Sequence, residues 1–316
     1  MRTTRRTFVK RFALAAAGAA LPLRGADKRL PIAFSTLACP HWEWTKILDY
    51  AAEHRFAAIE LRGLQGNLDL PSHRVFDASQ IEQTKREILA HDLHIACVSS
   101  SAHMDESDEA ARAQQFSDGK RFIDLAVMLE APYVRVFGTN PSGTKTSGTN
   151  PGVDKSLAPD DKIRARVAAN LHELGDYAGP RNVTVLIESH DNMVSSPVLS
   201  DVLQRADSKH VALLWDAYHT FAEGGEEPEF TVSQLGRWIR HTHLKDSVIT
   251  NGGRKFVLTG RGDVPIRRQI AALRRLGYPG YYCFEWEKVW HPDLTDPEIA
   301  VGDYARVMSG YLREPA

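Results

Sequence analysis

Short apolar runs alternate with amphipathic stretches along most of the chain. The runs Pro31–Leu37, Ala57–Leu61, Ile95–Ser100, Tyr133–Phe137, Val183–Ser189, Val211–Asp216, Ile239–Leu244 and Tyr281–Trp286 predict strands. Between them, segments such as WTKILDYAAEH, DASQIEQTKREILAHD, ARAQQFSDGKRFIDLAVMLE and DKIRARVAANLHELGDYA carry apolar side chains at three- and four-residue spacing. That spacing predicts helices with one buried face. Repeated strand–helix units imply a parallel sheet, and eight of them imply closure, so the expected fold is a (β/α)8 TIM barrel. An open doubly wound sheet is the alternative. It is disfavoured because STLACPHWEW, after the first strand, holds no Gly-rich phosphate-binding turn. Thr139–Pro159, dense in Gly, Ser, Thr and Pro, follows the fourth strand and is expected on the catalytic face as a lid.

Four of the later runs end in side chains that an apolar core does not need: Glu188, Asp216, His243 and Glu285. They are 28, 27 and 42 residues apart, against the roughly 30 residues of one barrel unit. Catalytic groups of such barrels sit at the C-terminal ends of strands. Singly, each has a plainer explanation, as a helix cap, a surface charge or a packed core histidine. Together they read differently. Glu is a poor capping residue, and three carboxylates buried beside a histidine without a cation would be costly.

The first 26 residues form a separate object. TRRTFVK precedes an uncharged, Ala-rich stretch from Phe12 to Leu23, too short to span a bilayer. The pair Arg5-Arg6 with Phe8 and Lys10 resembles a bacterial twin-arginine export signal. Residues 1–26 are therefore expected to direct export through the twin-arginine receptor to the periplasm or beyond, leaving residues 27–316 as one barrel domain. The full chain carries a net charge of −1; without residues 1–26 it has 33 basic against 40 acidic side chains, a charge of −7. A mildly acidic body without a basic stripe argues against nucleic acid as partner. No later segment reaches transmembrane length. Cys39, Cys97 and Cys283 show no metal-binding spacing and are expected as buried free thiols, since a twin-arginine substrate folds before export.

LLWDAYH (Asp216, His219), HTHLKD (His243, Lys245, Asp246), the strand ending at Glu188 and the late GYPGYYCFEWE together resemble the xylose isomerase-like barrel family of sugar (phosphate) isomerases and epimerases. The resemblance covers essentially the whole body of the chain. It implies that Glu188, Asp216, His243 and Glu285 hold one divalent cation, and that Glu188 and Glu285 also serve as acid/base groups on two sides of a planar intermediate. His241 shares a strand face with His243; the family pattern selects His243, immediately before Leu-Lys-Asp, as the ligand and leaves His241 a layer deeper. Three carboxylates and one imidazole suit a hard or borderline ion. Manganese is the expected ion, zinc its strongest competitor, with magnesium and cobalt as further candidates. His190, His219, Lys245 and Arg261 are expected to contact substrate hydroxyls or an oxyanion. Glu60 and Arg135, at the ends of strands two and four, are expected to line the mouth as substrate contacts or as an ion pair.

Export narrows the substrate to an unphosphorylated sugar, keto-sugar, glycoside derivative or inositol-like polyol. A metal-assisted β-elimination would use the same base and cation, so a lyase is the neighbouring reading, and a silent sugar-binding barrel is another. A nuclease of the related endonuclease IV fold would need an additional Asp-x-His pair, which LKDSVITNGGRKFVLTGRGD lacks. The oligomeric state is not legible. The export reading makes a direct prediction. Changing Arg5 and Arg6 to Lys keeps the charge but removes the guanidinium geometry, so the precursor should accumulate in the cytoplasm in a cell-fractionation assay. Unchanged export would assign a general secretory route.

Overall fold

The computed structural model describes residues 29–140, 158–251 and 253–314. The expected export segment and most of the Thr139–Pro159 lid lie outside the described residues. Eight parallel strands close into a barrel: β1 (Ile32–Ser35), β2 (Ala58–Leu61), β3 (His94–His103), β4 (Tyr133–Phe137), β5 (Thr184–Glu188), β6 (Val211–Asp216), β7 (Ile239–Leu244) and β10 (Tyr282–Phe284), with β1 joining β10 to β2. Each expected strand is present, which makes the fold a TIM barrel. The connecting helices include α1 (Trp44–Glu53), α2 (Ile81–Ala90), α3 (Glu109–Met128), α4 (Asp161–Ala178), α5 (Ser196–Ala206), α6 (Ala217–Ala222), α7 (Pro228–Leu235), α8 (Ile266–Leu276) and α9 (Pro297–Tyr311). Among the described residues no helix is long and apolar enough to cross a membrane.

The period of two along each strand sorts the side chains. Phe34, Ile59, Val134, Val185, Ile187, Leu213, Trp215 and Phe284 belong to the main core against the helices. The alternate positions form two small separate clusters: Ala33, Ala58, Ala96 and Cys283, and Leu186, Ala212 and Leu214. These belong to the opposite strand face, the barrel interior. Moving up each strand by two converts that apolar floor into chemistry: Ala58 to Glu60, Leu186 to Glu188, Leu214 to Asp216, His241 to His243 and Cys283 to Glu285. All three cysteines are buried and unbridged, as expected.

One feature departs from the expected strand–helix alternation. After β7, strands β8 (Asp246–Thr250) and β9 (Gly253–Val257) form a separate antiparallel hairpin, pairing Asp246 with Val257. The sequence SVITNGGRKFV sets Asn-Gly among alternating apolar residues, a hairpin signal in its own right. The Asp246 carboxylate accepts N–H bonds from Ser247, Gly260, Gly262 and Val264, pinning the chain that returns from the hairpin. A side chain at Gly262 would collide with Asp246, its Cβ falling 2.0 Å from Oδ1.

Helices α3 and α4 begin on aspartates whose side chains accept from the third residue on, Asp108 from Ala111 N at 2.9 Å and Asp160 from Ile163 N at 2.8 Å. Replacing either by Ala should destabilise the barrel by about 1 kcal/mol, and the two should add. Denaturant titration of the single and double variants checks this. An effect confined to one of the two would show that the other cap is dispensable.

Candidate metal and proton-transfer site

Glu188, Asp216, His243 and Glu285 arrive from β5, β6, β7 and the end of β10, and their ligand atoms lie within 4.8 Å of one another. All four are buried. His243 Nδ1 is the focus, 3.0 Å from Glu188 Oε1, 3.2 Å from Glu285 Oε1 and 3.8 Å from Asp216 Oδ2. The register explains the convergence: Asp216 pairs with His243 across β6 and β7, and His243 with Cys283, two residues before Glu285. Asp216 combines a helix cap with a place in the cluster. Its Oδ1 accepts from Tyr218 N and His219 N as the N-cap of α6, while Oδ2 turns toward the cluster.

Each member is held from behind. His243 Nε2 lies 2.8 Å from Glu60 Oε2, which also meets His241 Nε2 at 2.8 Å; Glu60 Oε1 accepts the hydroxyls of Ser35 and Ser99. An imidazole that donates Nε2–H to Glu60 presents the lone pair of Nδ1 to three carboxylates, and a proton or a cation must lie between them. The donor set of three oxygens and one nitrogen, with its second histidine nitrogen held by a carboxylate, fits a divalent ion. Glu188 Oε2 pairs with Arg135 Nε at 3.1 Å. Lys245 Nζ reaches Asp216 Oδ2 at 2.7 Å, Glu287 Oε1 at 2.8 Å and also Glu285 Oε2.

The electrostatics follow from these neighbours. Burial alone would raise the Glu188 pKa, but Arg135 and His243 overcome it and hold it at about 2. Glu285 is likewise kept ionised against burial, by His243 and Lys245. Burial opposes a charged Lys245, yet Asp216, Glu285 and Glu287 raise its pKa well above the ordinary lysine value. His219 is buried too, and Glu223, with Asp216, lifts it to about 10. Its Nδ1 lies 2.9 Å from Glu223 Oε2, whose own pKa falls to about 2 against burial because His219 faces it.

The remaining expected contacts divide. His190 and His219 stand beside the cluster with ring centroids 4.5 Å apart, and Lys245 is inside it. Glu60 does not line the mouth. It lies at the barrel centre, fully buried beneath His243, in a second group with His241 and Cys283, because β2 delivers its inward side chain one layer below the strand ends. Arg135 is spent on protein groups, donating to Ser100 O at 2.8 Å and lying over the Phe137 ring as well as pairing with Glu188. Arg261 is turned away, more than half exposed and paired with Asp303 on α9 at 3.2 Å. Glu223, Glu287 and Arg62 were not anticipated. Arg62 was the most legible of them, since IELR sets it on the same face as Glu60, two residues nearer the mouth.

Residues 48–306 match the family described as the xylose isomerase-like TIM barrel. The chain belongs to this family. Among curated relatives, an inosose dehydratase of Bacillus thuringiensis is 25% identical over 170 residues, covering 48% of this chain and 54% of the relative. This chain thus spans about half the length of that relative. A fructoselysine 3-epimerase of Shigella flexneri is 26% identical over 205 residues, 63% of this chain and 66% of the relative. The solved structure of the IOLI protein with a bound zinc atom superposes with a TM-score of 0.70, at 16% identity, over 90% of this chain and 98% of its own, which establishes the shared fold. The closed parallel barrel agrees with family membership.

The charged cluster predicts the pH dependence of stability without added metal. Depressed carboxylates such as Glu188 and Glu223 contribute stability above their ordinary value of 4.5 and lose it as pH falls toward 2. His219 contributes fully below its ordinary 6.5 and loses its contribution as pH rises through about 10. Melting temperature should therefore peak between about pH 5 and 6.5 and decline on both sides. Glu223→Gln should flatten the alkaline decline. Calorimetry across pH tests this, and a melting temperature that climbs from pH 6.5 to 9 contradicts it.

Proposed function

We propose that the protein is a divalent-metal-dependent sugar isomerase or epimerase that transfers a proton next to the carbonyl of an unphosphorylated keto-sugar. The observation that carries the reading is the convergence of Glu188, Asp216, His243 and Glu285 on one point at the C-terminal mouth of the barrel. When bound there, a divalent ion supplies Lewis-acid polarisation of the carbonyl. The curated relatives support the substrate class, since their names denote a cyclic keto-polyol and a keto-sugar derivative. Manganese is the proposed ion; the zinc in the IOLI structure keeps zinc as its competitor. Action outside the cytoplasm, through twin-arginine export, belongs to the same proposal.

The protein's own groups define the proton path. Glu188 and Glu285 come from strands three places apart around the barrel, so they can address different faces of a flat intermediate. One removes the proton, the C–H electron pair becomes the carbon–carbon double bond of the enediol(ate), and reprotonation completes the reaction. Return to the opposite face of the same carbon gives an epimer, and return to the former carbonyl carbon, with proton exchange between oxygens, gives an isomer. Arg135 and Lys245 hold the outer carboxylate oxygens, fixing the planes of the two carboxylates while lowering their basicity. Such weak bases suffice only for a C–H made acidic by an activated carbonyl.

A lyase is the second reading, favoured by the inosose dehydratase relative. There the same base removes the proton, the new double bond forms and a hydroxyl leaves as water after protonation. A screen of unphosphorylated keto-sugars and keto-polyols in heavy water, read by mass spectrometry, separates the outcomes: deuterium gain at constant skeleton for isomerase or epimerase, loss of water for lyase. Glu188→Gln or Glu285→Gln should lower exchange by about 10²–10⁴-fold. The Asp216→Ala, His243→Ala double variant should lose the bound ion. Near-normal exchange in both Gln variants would move the base to His190 or His219, and full metal occupancy in the double variant would refute the site.

A further inference from the structure

Arg62 is a cation built into the barrel mouth without a carboxylate partner among the described residues. It follows β2 directly, and its backbone is clasped by Thr36, whose Oγ1 accepts from Arg62 N at 3.0 Å and donates to Gly63 O at 2.6 Å. The side chain is only 4% exposed. Nη2 donates to Ser101 Oγ at 3.1 Å, whereas the buried Nη1 has no acceptor among the described residues. Burial lowers its pKa to about 9 and Arg135 adds to the drop, while Glu188, Glu285 and Glu60 oppose it. Arg62 stands two residues beyond Glu60 on the same strand face, one step nearer the mouth, and Glu60 itself touches His243. At neutral pH the guanidinium remains charged, and leaving one of its donors buried and unsatisfied is unfavourable unless something completes it.

Resting on the proposed function, we propose that Arg62 Nη1 holds the substrate oxygen that gains negative charge during proton transfer, the carbonyl oxygen of a keto-sugar. Arg135 cannot take that part, because Glu188, Ser100 O and Phe137 occupy it. Lys245 cannot either, being surrounded by Asp216, Glu285 and Glu287. Arg62 thus keeps, among the described residues, a buried guanidinium donor that no protein group has taken. A preorganised N–H aimed at the developing charge stabilises the transition state more than the neutral ketone.

Glycolohydroxamate, a planar anionic mimic of an enediolate, is the probe, titrated calorimetrically into the manganese-loaded protein. Arg62→Gln should weaken its binding by about 10- to 100-fold, the range for a hydrogen bond between charged groups. Manganese affinity measured separately should stay within about threefold, since Arg62 touches no ligand atom. Arg62→Lys, which keeps the charge and not the fork, should fall between. Equal hydroxamate affinity in wild type and Arg62→Gln, no hydroxamate binding by wild type, or a parallel loss of manganese would each overturn the proposal. Hydroxamate binding that depends on Arg62 while wild type exchanges no keto-sugar proton would sink the isomerase reading and leave the oxyanion role standing.

Discussion

Three buried carboxylates gathered around one imidazole nitrogen at the mouth of a barrel repel one another unless positive charge compensates them. Much of the mouth answers that constraint. Arg135 neutralises Glu188 from one flank, and Lys245 lies between Asp216, Glu285 and Glu287 on the other. Glu60 holds His243 from below and thereby settles which imidazole nitrogen faces the carboxylates. Removing a single partner would leave a buried charge exposed to the others, which is why such networks tolerate truncation poorly.

The barrel makes this density of charge affordable by geometry. Its interior floor is built from Ala33, Ala58, Ala96, Leu186, Ala212 and Leu214, and the polar layers stack above it two residues at a time. Helix α6 contributes as well. Asp216 gives one oxygen to the first N–H groups of that helix, which fixes the carboxylate plane and leaves the other oxygen directed inward. The hairpin of β8 and β9, anchored by Asp246, brings Phe256 to within 6.0 Å of Lys245 Nζ and covers that flank.

The eight strands and the quartet at their ends were legible because both depend on the period of two and on the spacing of repeated units. Depth within the barrel was less so. Glu60 and Glu188 both end apolar runs, yet one lies under His243 and the other beside it, a difference set by strand stagger that no local pattern encodes. Arg261 was expected as a substrate contact, but it lies beyond the inserted hairpin and pairs with Asp303 on α9. The hairpin itself was readable from the Asn-Gly in its sequence, and Arg62 from its step beyond Glu60.

Anomalous diffraction from crystals grown with manganese tests the central claim most directly. One peak should lie among Glu188, Asp216, His243 Nδ1 and Glu285, at about 2.0–2.3 Å from each ligand atom, with His243 Nε2 still bonded to Glu60. A peak instead on the deeper group of Glu60, His241 and Cys283, or no peak at the quartet at saturating manganese, would contradict the account.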